Sequence, residues 1–194
     1  RVLKPRGVFV TTASQPFTSA LVMSNLTFFR YCLVWDKKFA GNFNLADTQP
    51  MRTHEDICVF GGGAYYPQMI KRDKAIKGGG MVASTTANTS GYQALKKAYD
   101  MKYPVSVLDY PRDLGRTDHP TQKPVALYRY LIETYTRPGE LVLDFCCGSG
   151  TTAVAAFQCG RQFIAGDTCL EYVETARRRL RQTTPDMFAA FGAA

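Results

Sequence analysis

Residues 140 to 167 constrain the fold more than any other stretch of this 194-residue chain. Glu140-Leu-Val-Leu-Asp144 is a short apolar run of strand type, and the Gly148-Ser-Gly150 turn follows it. Thr151 to Cys159 has the small residues of a closely packed helix, and Gln162 to Asp167 is a second strand run. Strand, glycine turn, helix and strand make one βαβ unit. A parallel pair joined in this way is right-handed and forms half of a doubly wound sheet, so an α/β fold is expected. A further helix is predicted over Glu171 to Leu180. It puts Tyr172, Ala176 and Leu180 on one face, and Arg177, Arg178, Arg179 and Arg181 largely on the others.

The same stretch carries chemistry. Glycines at 148 and 150 let the backbone turn sharply and let a ligand come close. Asp144 ends the first strand and Asp167 the second, where a carboxylate is positioned to accept hydrogen bonds from two ribose hydroxyls. Gly148-x-Gly150-x-x-Ala153 also satisfies a loose dinucleotide fingerprint, so the turn by itself serves NAD as well as S-adenosylmethionine. Asp144 shifts the balance. A carboxylate four residues ahead of the first glycine suits a cationic methionine moiety and is unhelpful beside a pyrophosphate. The bland alternative, glycines that serve a tight turn and nothing else, is disfavoured by the acids at both strand ends.

Ahead of this unit, Val8 to Thr12 is a β-branched and aromatic run suited to a buried strand. Ser14 is placed to cap a helix with Pro16 in its first turn, running to about Leu26. Phe29 to Lys37 and His54 to Phe60 are further strands, and the polar stretch Phe39 to Arg52 reads as a loop joining them as an antiparallel pair. Pro120 to Tyr135 has helical spacing through Leu127, Tyr130, Leu131 and Tyr135, with Pro138-Gly139 as its stop. Residues 61 to 105 differ in composition. Two triple-glycine runs and a Ser/Thr/Asn-rich stretch mark an insert in which Lys71, Arg72, Lys74, Lys77, Lys96, Lys97 and Lys102 outnumber Asp73 and Asp100. One domain in three parts is expected: residues 1–60, the basic insert 61–105 and a cofactor-binding half 106–194.

Charge narrows the partners. Lys and Arg number 24 against 16 Asp and Glu, a net +8 that favours a polyanionic partner. No apolar run approaches the roughly 20 residues of a membrane-spanning helix, and nothing resembles a signal peptide, so a cytoplasmic location is expected. The six cysteines form no CxxC pair and read as reduced, mostly buried thiols. Neither histidine is near a cysteine pair in sequence, and no metal site is expected.

His119-Pro-Thr-Gln-Lys-Pro124, then Leu141 to Thr152, then Phe163-Ile-Ala-Gly-Asp167 with Glu171-Tyr-Val173, in this order, resembles the permuted (β-class) DNA amino-methyltransferases of phage and bacteria. Arg1 to Gly7, Ser14-Gln-Pro-Phe-Thr18, Arg52-x-His54-Glu55 and Tyr103 to Leu108 are similar as well. The resemblance covers nearly the whole chain and is weakest across residues 61 to 100. It implies a doubly wound, Rossmann-like S-adenosylmethionine-dependent methyltransferase fold with an antiparallel edge hairpin. It also implies a pocket whose methionine end is lined by His119, Thr121, Lys123 and Pro124, with Thr121 and Lys123 as the polar contacts. Asp144, Phe145, Cys146, Gly148, Ser149, Gly150, Thr151 and Thr152 would surround the cofactor, and Asp167 would take the ribose. Cys146, Cys147 and Cys169 depart from the commoner residues, and Asp167 replaces a more frequent glutamate. Arg52, His54 and Glu55 are expected to form a satisfied strand-entry network rather than to catalyse. The implied activity is methylation of an exocyclic amino group of adenine, ahead of cytosine, in double-stranded DNA. The implied setting is restriction-modification, with Lys71, Arg72, Lys74, Lys77, Lys96 and Lys97 facing the DNA.

Members of that family carry an Asp/Asn/Ser-Pro-Pro-Tyr/Phe tetrapeptide. Its first side chain and a backbone carbonyl accept the amino hydrogens while the aromatic ring stacks on the flipped base. No such segment occurs here, so no catalytic residue is assigned; Asp109-Tyr-Pro-Arg112 has the wrong order. In the permuted order the tetrapeptide would precede Arg1, on a central strand between the one ending at Asp144 and the one from Val8 to Thr12. The chain is therefore expected to be an N-terminally truncated piece with a gap in its sheet. A cofactor-binding module without turnover and an NAD-dependent oxidoreductase are the alternatives.

Overall fold

The computed structural model describes residues 3–77, 98–112 and 122–183. In chain order the strands are β1 (Val8–Ala13), β2 (Phe29–Gly41), β3 (Arg52–Gly61), β4 (Ile70–Lys77), β5 (Ala98–Lys102), β6 (Val107–Asp109), β7 (Leu141–Asp144) and β8 (Gln162–Ala165). The helices are α1 (Phe17–Ser24), α2 (Val125–Tyr135), α3 (Thr151–Gln158) and α4 (Leu170–Thr183). The chain divides into two compact units, one of Arg1–Tyr66 with Ser106–Ala194, the other of Pro67–Val105.

In the larger unit a four-stranded sheet has the order β1-β3-β2-β6, with β1 and β2 antiparallel to β3 and β6 parallel to β2. β3 is central and covered on both faces, so Ile57, Cys58, Val59 and Phe60 are buried in succession instead of alternating. On one face Trp35, Ile57, Val59 and Leu108 pack against Leu127, Leu131 and Tyr135 of α2. On the other, Ala13, Cys58 and Phe60 pack with Leu21 and Val22 of α1. A second, parallel pair is formed by β7 and β8, in register from Leu141↔Gln162 to Asp144↔Ala165. Here Val142 and Phe163 turn toward α3, where Ala155, Ala156 and Cys159 meet Ile132 of α2. Helix α2 thus serves both sheets, with Leu127 and Leu131 on the first and Ile132 toward the second.

Among the described residues β1 pairs only with β3, and β7 only with β8. Each presents one unpaired edge. These are the two strands between which a further central strand was expected from the resemblance. The face of β7 and β8 away from α3 is open as well, with Leu143 47% and Ile164 57% exposed.

Several boundaries differ from the sequence reading. The helix expected from Pro120 begins at Val125, because Pro124 (φ −62°, ψ 133°) is extended and a proline also disfavours helix in the residue before it. Strand β2 runs past Lys37 to Gly41, absorbing an irregularity at Lys38 (φ 50°), so the expected loop from Phe39 is shorter and holds a 3-10 turn at Phe43–Leu45. Ser14 makes no side-chain cap. Pro16 occupies that position, and Ser14 contributes its carbonyl, which accepts from the Thr18 amide at 3.1 Å. The cysteines are less buried than expected: Cys58 and Cys159 are buried, Cys32, Cys147 and Cys169 half-buried, and Cys146 exposed. In the smaller unit β4 and β5 form an antiparallel pair, Ile70↔Lys102 to Lys77↔Ala98, where the sequence suggested only an insert. No described helix is long and apolar enough to cross a membrane.

Candidate cofactor site

Two carboxylates stand at the carboxyl ends of the paired strands β7 and β8. The ladder continues into the loops above them: the Gly166 amide donates to the Asp144 carbonyl at 2.9 Å, and the Cys147 amide to the Gly166 carbonyl at 3.0 Å. Asp144 Oδ1 accepts from the Cys146 amide at 3.1 Å, and its Oδ2 accepts from the Thr152 hydroxyl. Asp167 Oδ2 accepts from the Gly148 amide at 2.9 Å, and its Oδ1 from the Cys169 amide at 3.0 Å. Asp144 offers roughly four acceptor positions, so these bonds orient its carboxylate without exhausting it.

The field of the two acids is registered on their neighbours. The Cys146 and Cys147 thiols are both pushed above the ordinary cysteine range, first by burial and next by the Asp144 and Asp167 carboxylates. Of these two causes only the carboxylates distinguish the sign of a charge, and their field favours a cation, as a sulfonium is. Tyr128 of α2 is raised by burial and then by Asp144, Cys146 and Glu55.

Gly148 (φ 50°) and Gly150 (φ 79°) are both left-handed, which suits glycine. At Gly150 a Cβ would also lie 2.6 Å from the Ala176 Cβ, so this glycine lets α4 pack onto the turn. Ser149, Thr151 and Thr152 are buried at the start of α3, and their polar atoms are met. The Ser149 hydroxyl donates to Gln122 Oε1 at 3.0 Å, and the Thr151 hydroxyl to the Lys123 carbonyl at 3.3 Å. Arg179 of α4 donates from Nη1 to the Ser149 carbonyl at 2.7 Å and to Ser149 Oγ at 2.8 Å.

The expected cofactor residues are therefore distributed unevenly. Asp144, Cys146, Gly148, Ser149, Gly150, Thr151, Thr152 and Asp167 converge on one loop system. Phe145 stands beside it, 68% exposed. Pro124 is buried at the start of α2. His119 and Thr121 lie outside the described residues. Lys123, expected as a polar contact to the cofactor, pairs with Glu55: its Nζ donates to Glu55 Oε2 at 2.6 Å and sits 5.2 Å from the centroid of the Trp35 ring. Glu55 also receives Lys37 at 3.4 Å. Glu55 was expected only in a satisfied strand-entry network; Gln122 and Arg179 are the residues at the turn that sequence reasoning missed. The three-residue spacing from Ala176 to Arg179 was the available signal for the last, since it places both on the same side of α4.

Arg52, His54, Glu55 and Asp56 line a small cleft of about 70 Å³ with Ser14 and Gln15 at the end of β1. Asp56 accepts there from the Thr18 hydroxyl at 2.7 Å. Of the basic residues expected to face DNA, Lys71 and Lys74 are exposed on β4, and Arg72 donates from Nε to the Met101 carbonyl at 3.2 Å. Lys77 ends β4, while Lys96 and Lys97 lie outside the described residues.

The family model described as "DNA methylase" for N6 and N4 methyltransferases matches residues 1–178. The chain belongs to this family. Among curated members, the DNA adenine methyltransferase YhdJ of Escherichia coli (strain K12) is 30% identical over 197 aligned residues, covering 93% of this chain and 62% of YhdJ. The type II methyltransferase M2.DpnII of Streptococcus pneumoniae is 48% identical over 62 residues, 32% of this chain and 23% of the relative. The chain thus spans less than two thirds of these methylases. Its fold is that of solved family members. It resembles M1.HpyAVI in complex with SAM at TM-score 0.61 and 24% identity, over 91% of this chain and 76% of that one. It resembles the cytosine-N4-specific PvuII DNA methyltransferase at TM-score 0.61 and 18% identity, over 91% and 64%.

Proposed function

We propose that this DNA methylase binds S-adenosylmethionine across the Asp144–Asp167 loop system and serves methyl transfer to an exocyclic amino nitrogen, that of adenine, in double-stranded DNA. The observation that carries the reading is the pair of oriented carboxylates flanking a left-handed glycine turn at the ends of two parallel strands. Their negative field suits a sulfonium and disfavours a pyrophosphate, which sets aside the NAD alternative. Bound there, the cofactor supplies an electrophilic methyl carbon.

This chain's part is to hold and orient. Asp167 is positioned to accept from ribose hydroxyls, and Asp144 and the turn to face the methionine moiety. Groups that accept the amino hydrogens and stack on the base would stand on a strand pairing with the open edges of β1 and β7, close to Asp144. Adenine is favoured over cytosine because YhdJ, aligned over 93% of this chain, is named an adenine methyltransferase. Lys71 and Lys74 of β4 are proposed to meet phosphates.

Calorimetric titration of the full-length protein with S-adenosylmethionine and with NAD tests the cofactor. Methyl incorporation into unmethylated DNA, followed by digestion to nucleosides, tests the rest. Label in N6-methyladenine is expected. Label in N4-methylcytosine would reverse the base assignment, and binding of NAD alone would overturn the reading.

A further inference from the structure

Glu55 of β3 and Thr151 at the start of α3 both bond to Lys123, one to its ammonium and the other to its backbone. Glu55 Oε2 accepts from Lys123 Nζ at 2.6 Å, and the Lys123 carbonyl accepts from the Thr151 hydroxyl at 3.3 Å. One residue earlier, Gln122 accepts from Ser149 at 3.0 Å. The two lysines and the glutamate are largely withdrawn from water, their side chains 14%, 20% and 19% exposed for Lys37, Lys123 and Glu55. Beside the Glu55 carboxylate, the Trp35 ring 5.2 Å away adds a cation–π contact to the Lys123 ammonium. The orientation of Lys123 is therefore set by the four-stranded sheet. Its backbone carbonyl, in turn, receives a hydroxyl from the first turn of α3.

We propose that Glu55 is a positioning residue for cofactor binding: by fixing Lys123 over Trp35 it holds the Gln122–Lys123 segment against Ser149 and Thr151, and so shapes the glycine turn. This inference rests on the cofactor reading of the Asp144–Asp167 loops. It gives the Arg52-x-His54-Glu55 segment a role beyond a local strand-entry network, and it makes Lys123 a brace on the pocket instead of a direct ligand.

The test uses the full-length enzyme and S-adenosylmethionine itself. Glu55→Gln and Lys123→Met are each expected to weaken cofactor binding about tenfold, and the double variant no more than either alone, because both break one link. In steady state the KM for S-adenosylmethionine should rise while the KM for DNA stays within about twofold, a split that a general loss of stability does not produce. Thr18→Val is the matched control. It removes the buried bond to Asp56, next to Glu55 on β3, and is expected to lower Tm with unchanged cofactor affinity. Additive effects in the double variant, or unchanged affinity in folded Glu55→Gln, would overturn the inference. Failure of the wild type to bind the cofactor, or unchanged binding by Asp144→Ala, would overturn the underlying reading instead.

Discussion

Gly148 donates its amide hydrogen to Asp167 Oδ2 at 2.9 Å, so the acid that follows β8 holds the first glycine of the turn that follows β7. Asp167 therefore has two tasks, to shape the loop and to present acceptors beside it. Asp167→Ala leaves the Gly148 and Cys169 amides without their carboxylate and is expected to cost about 1–3 kcal/mol of stability, read as a lower Tm. Cofactor affinity should fall by at least about tenfold in calorimetry, more than the turn's loosening alone explains. Asp167→Glu keeps the charge and should bind with intermediate affinity; equal affinity for Asp167→Ala and wild type would remove Asp167 from the pocket.

Gly150 faces Ala176 so closely that a Cβ would stand 2.6 Å from the Ala176 Cβ and 3.0 Å from its Cα, at a φ of +79°. Gly150→Ala combines overpacking of α4 on the turn with left-handed strain on an L-residue, together about 2–4 kcal/mol. Thermal unfolding should show this loss. Because Ala176 is one of the contacts holding α4 on the loop, the companion Ala176→Gly change should recover part of it, and no recovery would assign the cost to strain alone.

The βαβ unit was legible because its signals are local: an apolar run, turn glycines and small helix residues within 28 positions, 140 to 167. The paired acids were legible for the same reason. What escaped were contacts whose partners are far apart in sequence and share no period. Glu55 and Lys123 are 68 residues apart, and Arg179 and Ser149 are 30 apart. Lys123 was expected as a polar contact to the cofactor, and no local pattern disclosed that its ammonium would also meet the half-buried Glu55 carboxylate on β3. Pro124 likewise decided the start of α2 against a helical spacing that looked continuous from Pro120. Among the described residues β1 and β7 each pair on one side only, and the expectation of a further strand there came from the family order of motifs, which no periodicity within this chain discloses.

Cys146 is exposed, yet its thiol is held above the ordinary cysteine range by burial of the sulfur and by Asp144 and Asp167. A raised pKa means less thiolate at a given pH, so alkylation by iodoacetamide at pH 8 should be slower than for a free cysteine peptide. Cys58 is pushed up to about 12 by burial and its neighbour Cys32, and should stay unmodified throughout. Asp144→Asn removes one carboxylate and is expected to speed Cys146 alkylation, with S-adenosylmethionine protecting the wild-type thiol. Peptide mass mapping after timed labelling checks all three, and a Cys146 rate indifferent to both Asp144→Asn and cofactor would place the sulfur away from the site.

Lys71 and Lys74 are exposed on β4, in a unit whose described lysines and arginine exceed its acids. Arg72, between them, spends its Nε hydrogen on the Met101 carbonyl and so braces the β4–β5 pair. If the two lysines each neutralise a phosphate, Lys71→Ala with Lys74→Ala should flatten the slope of log K against log salt by about 1.8, at roughly 0.9 per contact. Affinity should drop similarly for cognate and noncognate duplexes, since phosphate contacts carry no sequence information. Arg72→Ala, by contrast, should lower stability of the strand pair while changing the salt slope by less than one contact. Fluorescence anisotropy across a salt series on the full-length enzyme separates these outcomes, and an unaltered slope in the double lysine variant would move the phosphate contacts off β4.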